Sequence, residues 1–219
     1  MFKKIFAILL VVTMIGSLAA CGNKEPETFS AMDMTQKRKF IANYMSETYN
    51  LDVGVTADVV KLPDSEYSYA TARTPDGKQV HCWITEDKTV IDDQFLLDLE
   101  DDFNEIFETV VSESIKDFKL SCDVTLNAPP TDETKSMSAK DLVKLDGTTV
   151  VVNILITRES RSKINSIVAK KFNGDLDFVT GEVYVYVVSD LSSASFSGLN
   201  SSTCESSCKL TPPKTEETK

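Results

Sequence analysis

The 219-residue sequence is poor in histidine, tryptophan and positive charge. It has one His and one Trp, and its 23 Lys and Arg against 34 Asp and Glu give a formal net charge of −11. A single His beside five Cys argues against a zinc ribbon or a His-rich metal site. The acidic balance, with a pI near 4.6, argues against nucleic acid as a partner, because binding phosphates requires a basic surface.

The sequence also lacks the short motifs that identify common enzyme classes. It contains no G-x-S-x-G, no H-E-x-x-H, no P-loop and no dinucleotide-binding fingerprint. Hydrophobic residues make up 42% and charged residues 26%, which is the composition of an ordinary globular protein. We therefore expect a folded protein that is not an enzyme, and the sequence predicts no catalytic residues, no metal ligands and no cofactor.

The first twenty residues have the pattern of a secretory signal peptide. Lys3 and Lys4 precede an apolar run from Ile5 to Ile15 that only Thr13 interrupts, and small residues follow. The run is too short to cross a bilayer as a permanent helix. We expect residues 1–20 to be removed during export.

The leader ends in Leu18-Ala19-Ala20-Cys21, which resembles the lipobox of bacterial lipoproteins. The resemblance covers only the leader and Cys21. It implies that Cys21 carries a diacylglyceryl group through a thioether and that cleavage occurs after Ala20. It also implies a protein held at the cell membrane, outside the cytoplasm, by fatty chains such as palmitate. Two acyl chains are needed for stable anchoring, because each buried CH₂ contributes roughly 0.8 kcal/mol and a single acyl chain anchors a protein only marginally. The alternative is an ordinary secretory signal with a chance Cys after it.

The segment after the lipidation site, residues 21–30, is predicted to be a lipidated flexible tether. It lacks hydrophobic periodicity and contains Pro26. Removing the leader takes away Lys3 and Lys4 and no acid, so the mature chain carries a net charge of −13. An anionic phospholipid surface should repel a body with this charge.

The remaining chain divides by composition into a globular region, residues 31–189, and a tail. A candidate boundary between two halves of the globular region lies near residue 120. Residues 190–219 are rich in Ser and Thr and poor in apolar residues. The tail is predicted to be disordered, because it has too little apolar surface to offset the entropy of ordering.

Hydrophobic periodicity predicts an α+β fold, with a mixed or antiparallel sheet packed against helices in the order α-β-β-β-α-β-α-β-α-β. The first half is predicted to hold a helix over 31–49, a strand over 53–59, a hairpin of 66–74 and 78–86 around Pro75-Asp76-Gly77, and a long helix over 91–118. The second half is predicted to hold strands over 120–126, 150–156 and 182–188, with helices over 138–144 and 159–171.

Four cysteines other than Cys21 remain in a chain predicted to be exported, where disulfides form. Cys82 and Cys122 each share a strand face with apolar residues. This parity permits a bridge between them without establishing it. Cys204 and Cys208 lie in the predicted tail and could close a small surface disulfide or stay as free thiols.

Strand parity also predicts a face rich in aromatic residues. If the small residues Ser68, Ala70 and Ala72 face the helices, the opposite sheet face carries Tyr67, Tyr69, Arg73, His81 and Trp83. Tyr, Trp and Arg dominate binding hot spots, so this face could bind a ligand or a partner. The alternative is that the second half of the chain covers it.

The stretch 91–119 contains ten acidic residues against Lys116 and Lys119. Its carboxylates could hold Ca²⁺ or act as acid and base, although a solvated face opposite an apolar stripe is the simpler interpretation.

The function predicted first is a membrane-anchored extracytoplasmic lipoprotein that acts as a non-catalytic binding or accessory module. Its partner would be an envelope protein, a peptide or a wall component. An exported hydrolase or calcium-binding protein that uses the acidic helix 91–119 is the alternative.

Overall fold

A computed structural model of the protein describes residues 26–55, 57–164 and 179–210. The predicted signal peptide and Cys21 lie outside the described residues, as do residues 165–171 of the helix predicted over 159–171 and residues 211–219 of the tail. Among the residues described, no helix has the length and apolar content needed to cross a bilayer.

Helices and two β-sheets build the described chain, which confirms the predicted α+β class. The first half contains α1 (Met34–Tyr49), β1 (Gly54–Val55), β2 (Val60–Lys61), β3 (Ser68–Arg73), β4 (Gln79–Ile84), β5 (Val90–Asp92), α2 (Phe95–Asp98) and α3 (Glu100–Ser112). The second half contains β6 (Phe118–Leu126), α4 (Asp132–Lys135), α5 (Ala139–Leu142), β7 (Thr148–Thr157), β8 (Gly181–Val188) and β9 (Ser206–Leu210), with short 3₁₀ helices at Arg158–Lys163 and Ser201–Thr203.

The first sheet is antiparallel, in the order β1-β3-β4-β5, with β2 also paired to β3. The predicted hairpin around Gly77 is confirmed, and Gly77 adopts a φ of 94° that glycine tolerates best. The single strand predicted over 53–59 is wrong. Within the described part of that range the strand is β1 alone, which pairs with one end of β3, and β2 begins after the range and pairs with the other end.

Helix α1 begins at a capping box. The Asp33 side chain accepts a hydrogen bond from the Gln36 backbone N–H at 2.8 Å, and the Gln36 side chain accepts one from the Asp33 N–H at 2.9 Å. The helix ends at Asn50, which adopts a left-handed φ of 56°. Its buried residues, Ile41 and Met45, pack on the face of the first sheet that carries the small side chains. The face with the small side chains is therefore the one that α1 covers.

The chain just before α1 is part of the folded body. Phe29 is fully buried in the apolar cluster under α1, with its ring centroid 5.7 Å from that of Phe40. The Phe29 N–H donates to the Glu86 carbonyl at 3.0 Å, and the Ser30 N–H donates to a Glu86 carboxylate oxygen at 3.1 Å. The prediction of a flexible tether through residue 30 is wrong for residues 29 and 30, because a buried aromatic ring fixes them.

The long helix predicted over 91–118 is shorter at both ends. Residues 90–92 form β5 against β4, the helical part is divided between α2 and α3, and Phe118 already belongs to β6. Apolar residues spaced for a helix continue into both flanking strands, so the periodicity does not show where the helix stops.

The second sheet has the order β6-β7-β8-β9, with the pair β7–β8 parallel and the other pairs antiparallel. Alternate residues of its strands, such as Val152 and Ile154, pack in one cluster with Phe103 and Phe107 of α3. Trp83 of β4 belongs to the same cluster. The apolar core therefore crosses the candidate boundary near residue 120.

The tail supplies the last strand of this sheet. β9 pairs with β8 over five residues, and the Leu210 side chain at its end is 3% exposed. Lys119 Nζ also donates to the Ala194 carbonyl at 2.9 Å. Disorder throughout 190–219 is therefore a wrong prediction for residues 206–210. Backbone pairing with β8 orders a segment whose Ser-rich composition gives no sign of it.

At the opposite edge of the sheet, β6 is the terminal strand and has nine residues. Near its middle, the Cys122 N–H donates to the side-chain oxygen of Asn104 on α3 at 2.9 Å. A side chain from the neighbouring helix therefore occupies a backbone donor that an edge strand normally offers to solvent or to another strand.

Candidate functional site

The aromatic residues predicted to share a sheet face do lie together. The rings of Tyr69 and His81 stack with centroids 5.7 Å apart, and Tyr69 meets Trp83 edge to face at 5.6 Å. Trp83 is 1% exposed and His81 is 7% exposed. Trp83 belongs to the apolar cluster that also contains residues of α3 and of the second sheet. The alternative of a covered face therefore holds for these two side chains, and neither offers free surface to a partner.

Tyr67 and Arg73 occupy the margins of the same face. Tyr67 is half-buried against the second-sheet cluster. Arg73 is exposed, and its guanidinium donates to the Gly77 carbonyl at 2.9 Å. Arg73 thus stabilises the turn between β3 and β4. Among the described residues, its guanidinium lies over no aromatic ring.

A buried histidine–carboxylate pair lies beside these aromatic rings. Asp93 is 2% exposed, and one of its oxygens accepts a 2.6 Å hydrogen bond from the His81 backbone N–H. Its other oxygen lies 2.8 Å from His81 Nδ1. This pairing fixes the plane of the imidazole and favours the tautomer with the proton on Nδ1.

The neighbouring carboxylate, Asp92, connects β5 to α1. It accepts hydrogen bonds from the Tyr44 hydroxyl at 2.7 Å, the Tyr49 hydroxyl at 3.0 Å and the Gln94 N–H at 3.0 Å. Burial and the Asp92 carboxylate raise the pKa of Tyr49 to about 12 and also raise the pKa of Tyr44. A buried carboxylate is stable here because hydroxyl and backbone donors replace its lost water.

Sequence reasoning placed Asp92 and Asp93 on a solvated helix face, which is wrong for both. Each is 2% exposed. The available signal is the pair Val90-Ile91 directly before them, which is typical of a short strand. By contrast, the acids Asp101, Asp102, Glu105 and Glu108 of α3 are exposed, as a solvated face requires.

Cys82 and Cys122 are both free and buried, in different apolar clusters. Cys82 lies in the cluster under α1, whereas Cys122 lies in the cluster of the second sheet. The bridge that strand parity permits between them is therefore not formed in this structure. Burial raises the pKa of both thiols, which suppresses the thiolate that nucleophilic chemistry needs.

Cys204 and Cys208 are free as well. Cys208 lies opposite Val183 in the β8–β9 ladder, and the Glu205 N–H joins the ladder by donating to the Val185 carbonyl at 2.7 Å. Cys204 lies before the start of β9, at the end of the short 3₁₀ helix Ser201–Thr203. Of the two alternatives, this structure contains the free thiols.

An open depression of about 430 Å³ lies at one end of the first sheet. Its apolar lining comes from Leu51, Pro75 and Leu97, and its charged lining comes from Asp52, Asp76, Asp98 and Lys78. The Lys78 ammonium pairs with Glu100, and that hydrogen bond raises the pKa of the lysine. The carboxylates therefore outnumber the cation around this depression, which favours positively charged groups near it.

Within the described parts of the chain, no three His, Cys, Asp or Glu side chains lie close enough together to hold a metal ion. The calcium site considered for the acidic stretch is not found among these residues.

Comparison with known proteins adds one structural likeness. No family model matches the sequence, and no curated protein sequence is similar to it. A solved structure of a DUF5037 family protein from Ruminococcus gnavus ATCC 29149 is similar with a TM-score of 0.36 and 16% sequence identity, over 69% of this chain and 75% of that chain. A likeness at this level assigns neither a family nor a function.

Proposed function

We propose that this protein is a lipid-anchored binding or accessory module on the outer side of the cell membrane. The observation that carries the proposal is the order of features at the N-terminus. Two cations, a short apolar run and Leu18-Ala19-Ala20-Cys21 follow one another at the spacing of a lipoprotein leader. The thiol of Cys21 would carry the acyl chains, and the acidic body would remain in the water outside the membrane.

A non-catalytic role is supported by the use the fold makes of its reactive groups. Asp92 holds two tyrosine hydroxyls, and Asp93 holds His81. The thiols of Cys82 and Cys122 are buried, with raised pKa values. The carboxylates of Asp92 and Asp93 are therefore committed to holding elements together, and these two thiols are withheld from nucleophilic chemistry.

Metabolic labelling with an alkyne fatty acid tests the anchor in the full-length chain. The protein should take up the label and sediment with membranes, and Cys21→Ser should lose both properties. Cys204→Ser is the matched control, because it removes a half-buried thiol and leaves the leader intact. Label that survives in Cys21→Ser would contradict the anchor.

The binding role is tested by photo-crosslinking in intact cells. A photoreactive amino acid at Leu97, in the depression, should crosslink an envelope protein that the same residue at exposed Glu108 does not. Equal crosslinking at the two positions, or none at Leu97, would argue against a partner at this surface.

A further inference from the structure

The position of Phe29 limits how far the body can move from its anchor. Its ring is fully buried, and its backbone is hydrogen-bonded to Glu86 in the turn between β4 and β5. Only eight peptide steps separate Cys21 from Phe29. Even a fully extended chain of this length spans at most about 29 Å. A lipid on Cys21 would therefore lie within this distance of Phe29.

Phe29 lies near one end of the first sheet and not at its middle. Strand β4 runs from Gln79 to Ile84, with the turn at residues 74–78 before it and the turn at residues 85–89 after it. Six strand residues cover roughly 17 Å from first to last. The two turns therefore mark opposite ends of the sheet, and Phe29 is bound to the second of them.

The two ends of the first sheet also differ in charge. Near Phe29, the Glu86 carboxylate lies 4.0 Å from Lys61 Nζ, and the nearby Lys37 ammonium sits over the Phe29 ring. The opposite end carries the depression lined by Asp52, Asp76 and Asp98. An anionic phospholipid surface therefore repels the end with the acidic depression more than it repels the end near Phe29.

We propose that the turn at residues 85–89 faces the membrane and that the turn at residues 74–78, with the acidic depression, faces away from it. This inference rests on the proposed lipidation of Cys21. The turn at residues 85–89 lies against an anionic phospholipid surface, and the depression is left open to the space beyond.

The two turns offer a matched pair of probe positions. Asp76 and Asp87 are both exposed, and each accepts a hydrogen bond from the threonine two residues before it. A fluorescent amino acid at either position removes the same contact. The lipidated full-length protein would be reconstituted in phosphatidylglycerol-containing vesicles with acceptor-labelled headgroups. Energy transfer should be about twofold or more greater from position 87 than from position 76.

Equal transfer from the two positions, or greater transfer from position 76, would overturn the orientation. Vesicle flotation before the measurement separates the two proposals. Protein that lacks a lipid and does not float contradicts the anchor itself, whereas floating protein without the difference contradicts only the orientation. A Gly/Ser insertion of about 20 residues after Glu27 should reduce the difference, because it lengthens the tether and leaves only the charge contrast between the two ends. An undiminished difference after the insertion would overturn the argument from chain length.

Discussion

The two sheets of this protein are stabilised in different ways. The first is built of strands of two to six residues and joins α1 through the buried carboxylate of Asp92, while Asp93 joins β5 to His81 of β4. The second is built of strands of five to ten residues, and apolar side chains from alternate positions fill its core. The first sheet also packs apolar side chains under α1, and to these it adds buried hydrogen bonds whose loss would leave donors without water or another acceptor. The second depends on close backbone approach and apolar burial.

The largest expected effect lies in the second sheet, at Gly181. A Cβ added there would overlap the Val150 carbonyl oxygen, in the strand paired with β8. Because the obstacle is backbone, Gly181→Ala should lower the free energy of unfolding by about 3 kcal/mol or more. Urea denaturation measures the change. Gly54→Ala is the control, since no atom lies within 4 Å of the added Cβ. Equal stabilities of the two variants would show that β8 is not held this closely.

The next largest effect is expected in the first sheet. Asp92→Ala leaves the hydroxyls of Tyr44 and Tyr49 and the Gln94 N–H without their acceptor. The loss of unfolding free energy should be about 3 kcal/mol, because buried donors without partners are costly. Glu108→Gln removes an exposed acid on α3 and should change stability by less than about 0.5 kcal/mol. Similar small losses in both variants would contradict the role given to Asp92.

Oxidation of Cys204 and Cys208 should affect the second sheet only at its β9 edge. A disulfide between Cys204 and Cys208, formed by exchange with oxidised glutathione that is itself reduced to two thiols, should draw Cys208 towards Cys204 and release β9 from β8. Losing the burial of Leu210 would cost about 2 kcal/mol. Hydrogen exchange should become faster in Gly181–Val185 and stay slow in β6, and Cys208→Ser should show no response. A disulfide formed without faster exchange in β8 would refute this expectation.

The smallest effect is a pH dependence that belongs to the first sheet. The pKa of Tyr49 is raised to about 12 by burial and Asp92, from an ordinary value of 10.0. Folding therefore favours the protonated hydroxyl. Its contribution is complete below pH 10 and is lost as pH rises from 10 to about 12. Because the side chain is partly solvated, the loss should be less than about 1 kcal/mol.

Measuring the free energy of unfolding at pH 9 and pH 11 for Tyr49→Phe and Tyr184→Phe isolates the contribution of the Tyr49 hydroxyl. The pKa of Tyr184 is also raised to about 12, by its hydrogen bond to Glu182 on the second sheet. That pair is accessible to solvent, so its replacement should reduce the pH dependence less than Tyr49→Phe does. The reverse order would show that the second sheet also depends on buried polar contacts.

The features that the sequence predicted well are those with a strict local period. Ala70, Ala72 and Cys82 face α1, while Tyr69 and Trp83 face the other way, because successive strand residues must alternate. The β3–β4 hairpin was equally predictable, since Asp76-Gly77 is a strong turn signal. What alternation could not show was whether the aromatic face would stay open, which depends on how the second half packs.

The features that the sequence failed to predict depend on distant partners. Asp92 is buried because Tyr44 and Tyr49 reach it from a helix more than forty residues earlier in the chain. The Ser-rich residues 206–210 are ordered because β8 has an open edge for them. Phe29 stands among polar neighbours, and only its pocket under α1 makes it core. The composition of a local segment does not indicate such long-range contacts.

The hydrogen bond from the Cys122 N–H to Asn104 has a consequence for self-association. Two copies of a protein with a long bare edge strand can join edge to edge into a continuous sheet. Here the Asn104 side chain of α3 already accepts the hydrogen bond from the Cys122 N–H in the middle of β6. A second molecule would have to displace this side chain before it could pair along the whole strand. This hydrogen bond therefore opposes edge-to-edge pairing along the whole of β6.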